Sequence, residues 1–80
     1  MRVDKFLKVS RILRRRTLAA QACSLGKVYV NDRITKPGHQ LNIGDKVKIE
    51  FGSNTLSFRV LSLNDKASKN EAGLLYEIID

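Results

Sequence analysis

The sequence predicts an α+β domain in which two short N-terminal helices pack on a small antiparallel sheet of four to five strands. Apolar residues recur with a helical period as far as Gly26, and from Val28 onward they alternate with polar residues, as strands do. A chain of 80 residues has enough apolar surface for one core and too little for two. Residues 1–80 are therefore expected to form a single domain.

The first predicted helix spans Arg2–Arg11 and has a basic outer face. Asp4 lies in its first turn, where a carboxylate complements the positive end of the helix dipole. At about 100° per residue, the apolar and basic side chains separate onto opposite sides of the helix. The apolar side holds Val3, Phe6 and Leu7, and the basic side holds Arg2, Lys5, Lys8 and Arg11.

A second helix is predicted directly after Arg14–Arg16, so this run of arginines lies at the junction of the two helices. Thr17 is its expected N-cap, because the hydroxyl can accept a free backbone N–H of the first turn. Gly26 stands where a left-handed residue would end the helix. The expected apolar stripe of this helix is formed by Leu18, Ala22 and Leu25.

Short strands separated by turns are predicted for the remaining chain. Asn31-Asp32 marks a tight hairpin turn, and Gly52-Ser53-Asn54 can reverse the chain again. Residues 64–73 are polar and aperiodic, which predicts a loop, and residues 74–79 form a strand or, as the alternative, a helix. Val28 and Val30 alternate with Lys27 and Tyr29, and Val47, Ile49 and Phe51 share one face of a strand. The residues expected to face inward on the next strand are Leu56, Phe58 and Val60.

Charge is distributed unevenly along the chain. Fifteen basic and eight acidic residues give a net charge of +7. Residues 1–36 carry ten basic and two acidic residues, a net of +8, whereas residues 37–80 carry a net of −1. An excess confined to one half predicts a surface directed at a polyanion, which could be RNA, DNA or an anionic membrane.

Several classes of protein are disfavoured by the composition. A single cysteine and a single histidine make a poor set of soft metal ligands, so neither a metal site nor a cofactor is expected. Cys23 is expected to be a small buried hydrophobic residue and His39 a solvated loop residue. The sequence shows no catalytic constellation and no apolar run of membrane-spanning length, so we expect a non-enzymatic, cytoplasmic protein with no membrane partner.

Seven cations within the first 16 residues form the strongest candidate site. Only Asp4 offsets them in this stretch, whereas a merely solvated helix face would carry mixed charges. Arginine outnumbers lysine by five to two, which favours forked contacts to phosphate groups. The seven cations are Arg2, Lys5, Lys8, Arg11, Arg14, Arg15 and Arg16.

Structured RNA is the polyanion that fits this cluster best. A membrane-surface helix needs spare apolar residues on its outward face, and here those residues are committed to the core. A helix that reads DNA needs Asn or Gln to contact base edges, and the basic face offers few. Rigid, arginine-rich surfaces suit recognition of RNA backbone and shape. Tyr29 and Tyr76 are expected to pack in the sheet rather than to stack on bases.

A set of short motifs resembles the S4 RNA-binding domain, also called the αL motif. The motifs agree in order and spacing over about residues 1–50, and residues 51–80 follow as C-terminal strands. Asp32 departs from the family pattern, which usually has glycine at this position. The motifs are Arg2-Val-Asp-Lys-Phe-Leu7, Ser10-Arg11, Gly26-Lys-Val-Tyr-Val-Asn31, Lys36-Pro37 and Gly44-Asp45.

Within that superfamily, Lys8-Val-Ser-Arg11 and Arg14-Arg-Arg-Thr-Leu18 resemble the ribosome-associated quality-control protein P (RqcP/YabO) family. Asn70-Glu-Ala-Gly-Leu-Leu-Tyr-Glu77 is similar to the related fifteen-kilodalton heat-shock protein. The resemblance implies binding to large (50S) ribosomal subunits obstructed by peptidyl-tRNA, with contacts to 23S rRNA and to the tRNA. It also implies support for alanine tailing of the stalled chain by a partner that recruits alanyl-tRNA.

The resemblance also assigns an RNA-binding role to particular positions. Arg2 and Arg16 would be the principal contacts, and Asp4 would organise the helix and share in the contact. A monomer is expected. The alternatives are another S4-type RNA-binding protein, a DNA-binding regulator, or the detached S4 module of an RNA-modifying enzyme. The expected RNA-binding residues are Arg2, Asp4, Lys5, Lys8, Arg11, Arg14, Arg15, Arg16 and Lys36.

Overall fold

The computed structural model describes residues 1–79 and has two layers, with helices on one face of an antiparallel sheet. The α+β class predicted from the two periodicities is confirmed. A short 3-10 turn, Ala72–Leu74, precedes the last strand. The elements are α1 (Val3–Val9), α2 (Arg16–Ser24), β1 (Val28–Val30), β2 (Arg33–Ile34), β3 (Lys46–Phe51), β4 (Asn54–Val60) and β5 (Tyr76–Ile78).

The strands form one sheet in the order β2-β1-β3-β4-β5, and every neighbouring pair is antiparallel. Asn31 and Asp32 turn the β1–β2 hairpin with φ of 51° and 69°, a left-handed pair that suits a two-residue connection. The last segment pairs with β4 as strand β5, which decides between the strand and the helix expected there.

The core lies between the helices and the inner face of the sheet. Phe6 of α1 stacks on Phe58 of β4 with ring centroids 6.0 Å apart. Phe51 alternates in step with the buried Val47 and Ile49, but it ends β3 at a chain reversal and remains 41% exposed. The fully buried apolar residues include Val3, Phe6, Leu7, Val28, Val47, Ile49, Phe58 and Val60.

Helix α1 buries the predicted residues but ends earlier than expected. The N–H of Val3 donates to the carbonyl of His39 at 2.9 Å, and the N–H of Asp4 donates to the carbonyl of Pro37 at 3.2 Å. The loop after β2 therefore tethers the start of the helix. Arg11 lies outside the helix, which ends at Val9, because Arg11 adopts a left-handed φ of 61°.

The start of α2 differs from the prediction. The helix begins at Arg16 with Arg15 as its N-cap residue, so Thr17 lies inside the first turn and the predicted Thr17 cap is wrong. The C-terminal prediction is confirmed, because Gly26 adopts a φ of 73° just beyond the helix.

The buried side of α2 also differs from the prediction. Ala19 and Cys23 are buried, whereas Leu18 and Leu25 of the expected apolar stripe are exposed. Helix α2 packs directly against α1, and short side chains at this contact let the two backbones approach. Ala19 and Cys23 belong to the same buried cluster as the apolar residues of α1.

Candidate nucleic-acid interface

The carboxylate of Asp4 lies at the centre of the site and joins two arginines. Its Oδ2 lies 3.2 Å from Nη2 of Arg2, and its Oδ1 lies 3.4 Å from Nη2 of Arg16. The backbone N–H of Lys5 also donates to Oδ1, at 2.8 Å. Asp4 is buried, whereas the side chains of Arg2 and Arg16 are 47% and 45% exposed. A buried anion thus holds two cations at the surface.

Three pieces of chain meet to make this arrangement. Arg2 immediately precedes α1, Asp4 sits in the first turn of α1, and Arg16 is the first residue of α2. Arg2 also forms an isolated β-bridge with Gln40, and its guanidinium lies against Gly38, where even an added Cβ would stand 3.7 Å away. The packing of α1 on α2 and the tether from the loop after β2 therefore fix both arginines on Asp4.

The two arginines keep a net positive charge and unused hydrogen-bond donors. One carboxylate offsets only one of the two guanidinium groups. Each guanidinium carries a planar fork of five N–H donors, and Asp4 contacts each of them through Nη2. Because both side chains are about half exposed, the remaining donors can reach the paired oxygens of a phosphate group. The arrangement is suited to binding an anionic backbone.

Lys5 pairs with an acidic residue that lies far along the chain. Its Nζ lies 3.1 Å from Oδ2 of Asp65, in the loop that follows β4. The hydrogen bond from Lys5, together with its charge, lowers the pKa of the Asp65 carboxyl below its ordinary value. Both side chains are partly exposed, so another anion can compete for Lys5.

Asp65 lies where two basic depressions adjoin, and it lines both. The first, of about 480 Å³, is lined by Arg2, Lys5 and Arg16 together with Gln40. The second, of about 390 Å³, brings together three further cations from the end of α1 and the α1–α2 junction. Six of the seven clustered cations therefore line two neighbouring surfaces. The cations of the second depression are Lys8, Arg11 and Arg14.

Two of the predicted site residues lie elsewhere. Arg15, the N-cap residue of α2, is exposed and lines neither depression. Lys36 follows β2 and lines a separate groove that also includes Gly38. The sequence did not indicate Asp65, because it lies in an aperiodic loop 60 positions from its partner Lys5 and no local pattern marks such a pairing.

The side chains that most often bind metal ions do not cluster in the described residues. Within residues 1–79, no group of three or more His, Cys, Asp or Glu could hold a metal ion, and no helix is long and apolar enough to cross a membrane. Cys23 is buried, as predicted. Burial, with a smaller contribution from the charge of Asp4, raises the pKa of the Cys23 thiol to about 11, so the thiol stays protonated at neutral pH.

Comparison with known proteins finds relatives in sequence and in structure. The S4 domain family model matches residues 1–47. A Streptococcus pneumoniae protein named RQC P-site tRNA stabilizing factor is 43% identical over 79 residues, which cover 99% of this chain and 90% of that protein. A protein of the same name from Halalkalibacterium halodurans is 41% identical over 78 residues, which cover 98% of this chain and 89% of that protein. A trimeric structure of Vibrio cholerae Heat Shock Protein 15 matches with a TM-score of 0.90 at 28% identity, covering 99% of this chain and 81% of that one.

These matches include the parts of the chain that build the site. The family match spans α1, α2 and the β1–β2 hairpin, and so contains Arg2, Asp4 and Arg16. The two relatives match over almost the whole chain, and the solved structure matches over all five strands. The chain therefore belongs to the S4 domain family and, within it, to the group of proteins named RQC P-site tRNA stabilizing factor.

Proposed function

We propose that the protein holds tRNA on the large ribosomal subunit during ribosome-associated quality control. It binds 50S subunits obstructed by peptidyl-tRNA and contacts both 23S rRNA and the tRNA. It supports alanine tailing of the stalled chain by the factor that recruits alanyl-tRNA. The role is binding rather than catalysis, and it places the protein in the cytoplasm.

The observation that carries this proposal is the buried Asp4 with its two half-exposed arginines. An arginine that is already held in place loses less side-chain entropy when it binds a phosphate group. Arg2 and Arg16 are therefore prepared to grip an RNA backbone of defined shape rather than to attract any anion diffusely. The names of the matching relatives make tRNA the first RNA to test.

Two adjoining depressions suit a protein that sits between two RNA molecules. The rRNA and tRNA backbones repel each other, and cations placed between them offset that repulsion. In this proposal, the depression with Arg2 and Arg16 takes one backbone, and the depression with Lys8 and Arg14 takes the other. Because one chain supplies all of these residues, a monomer is sufficient.

The test is cosedimentation with 50S subunits that carry peptidyl-tRNA, using Arg16→Ala. Loss of one charged phosphate contact should weaken binding roughly tenfold and reduce the log–log salt slope by about 0.9. Arg59→Ala is the matched control, because it removes the same charge from a side chain that is 46% exposed. Arg59 lies on the face of the sheet that points away from the helices, between the buried Phe58 and Val60. The control should bind like the wild type.

Three results would contradict the proposal. Unchanged binding by Arg16→Ala would remove Arg16 from the interface. Tighter binding to duplex DNA than to rRNA fragments would favour a DNA-binding regulator. Purification from lysate in a stoichiometric complex with an RNA-modifying enzyme, and not with 50S subunits, would favour a detached S4 module.

A further inference from the structure

A separate groove lies between the β1–β2 hairpin and the loop that follows β2. It has a volume of about 870 Å³, larger than either depression around Asp65. This volume lies within the range of about 300–1,000 Å³ typical of pockets that hold small molecules, so it can admit a nucleotide-sized group. The residues whose side chains matter here are Arg33, Ile34, Lys36 and His39.

The lining of this groove is basic and has no acidic member. Arg33 and Lys36 are both exposed, and neither forms an ion pair within residues 1–79. Asn31 also lines the groove, but its amide is already used, since Nδ2 donates to Asp45 and Oδ1 accepts from the N–H of Lys46. Asn31 therefore braces the hairpin, and the two cations remain available to an anion.

Apolar and aromatic groups accompany these cations. Ile34 is 64% exposed, and His39, which lines the same groove, is exposed as well. A flat ring can rest against an aliphatic side chain or stack on an imidazole, and RNA-binding proteins receive unpaired bases on such surfaces. In this groove, the cations suit the phosphate of one nucleotide, and Ile34 and His39 suit its base.

The groove is continuous with the Asp4 site. Gly38 lines the groove, and the guanidinium of Arg2 lies against the same glycine. The carbonyls of Pro37 and His39 accept from the first N–H groups of α1, so the loop that walls the groove also holds the start of that helix. A chain of nucleotides bound at Arg2 can therefore extend past Gly38 into the groove.

We infer that this groove is a second RNA-binding site, which takes an unpaired nucleotide adjoining the segment held by Arg2 and Arg16. Arg33 and Lys36 bind its phosphate, and Ile34 and His39 contact its base. The inference rests on the proposed RNA binding of the Asp4 site and adds to it a preference for single-stranded RNA next to a structured element.

The experiment compares two fluorescent probes, an RNA hairpin and the same hairpin carrying a short single-stranded tail. The tail should strengthen binding to the wild type by about fivefold or more, which is the effect of one stacked base. Combined Arg33→Gln and Ile34→Ser removes one phosphate contact and the apolar wall for the base. This variant should abolish the advantage, leave hairpin binding nearly unchanged, and reduce the salt slope for the tailed probe by about 0.7. Arg59→Gln with Ile43→Ser, which changes one exposed cation and one exposed isoleucine outside the groove, is the matched control and should keep the advantage.

The outcomes separate this inference from the proposed function. If the wild type binds the hairpin but gains nothing from the tail, the groove inference is wrong and the proposed function stands. If the double variant keeps the advantage, or loses affinity equally for both probes, the groove inference is also wrong. If the wild type binds neither probe better than duplex DNA, the groove inference and the proposed function are both wrong. Arg16→Ala should weaken hairpin binding while preserving the ratio between the two probes.

Discussion

Replacing Asp4 by asparagine is the sharpest test of the central arrangement. The substitution keeps the size of the side chain but removes the charge that lies 3.2 Å from Arg2 and 3.4 Å from Arg16. It also makes the protein more basic, so a simple attraction between total charges predicts tighter RNA binding. If Asp4 works by holding the arginines in place, RNA binding should weaken instead.

The two effects can be compared in size. A phosphate bound beyond the guanidinium groups would sit on the order of 8 Å from Asp4, where removing one like charge is worth about 0.5 kcal/mol in a water-like dielectric. Freeing two arginines that must be immobilised again on binding costs about 0.5–1.5 kcal/mol each. The net loss is about 1.5 kcal/mol, or roughly tenfold in the dissociation constant.

The fold should survive the Asp4→Asn substitution. Both arginines are about half exposed and regain water, so each ion pair contributes no more than about 1 kcal/mol. The asparagine oxygen can still accept from the N–H of Lys5. Each kcal/mol lost lowers Tm by about 4–8 °C in a domain of this size.

Binding should be measured by fluorescence anisotropy with 23S rRNA fragments and tRNA at several salt concentrations. Asp32→Asn is the matched control: it adds the same charge, its side chain is 78% exposed, and asparagine tolerates the left-handed φ of 69° found there. The control should bind as well as the wild type or slightly better. The reasoning is refuted if Asp4→Asn binds RNA more tightly than Asp32→Asn while both remain folded.

Four further predictions concern other parts of the molecule. Asp65→Asn frees Lys5 and should tighten RNA binding by about fivefold at low ionic strength and by less at high salt, and weaker binding would contradict the competition described above. Lys5 lowers the pKa of Asp65, so the ion pair stabilises the fold at pH values above the ordinary pKa of an aspartate. This stabilisation is lost as the pH falls through the lowered pKa of Asp65. Any excess stability of the wild type over Asp65→Asn should therefore disappear in acid. The Cys23 thiol, with a pKa of about 11, should resist alkylation at pH about 8 until urea unfolds the chain, and equal labelling of native and unfolded protein would show that it is not buried. Phe58→Ala should cost about 3–5 kcal/mol in urea denaturation, whereas Phe51→Ala, at an exposed position, should cost about 1 kcal/mol or less, and similar losses for the two would refute the assignment of the core.

Local patterns were sufficient for the architecture. The change of period near Gly26 marks the passage from helices to sheet, and the left-handed Asn31-Asp32 turn follows from the residue types at a two-residue hairpin. The burial of Val3, Phe6 and Leu7 also follows from period alone, because one face of a short helix must meet the core. These features depend on neighbours along the chain, so they can be read without knowing where the rest of the chain lies.

Contacts between distant segments decided what the local patterns could not. On α2, Ala19 is buried and Leu18 is 47% exposed, although the local pattern predicted the reverse. Helix α2 packs on α1, and small residues suit a close contact between two helices.

The same dependence on distant contacts applies to the site. Seven cations near the N-terminus predicted a basic surface from the sequence. The sequence did not show that Asp4 would join Arg2 to Arg16, or that Asp65 would pair with Lys5. Composition determines how much charge a chain carries, whereas the packing of its elements determines which charges meet, which are held in place and which remain open to a ligand.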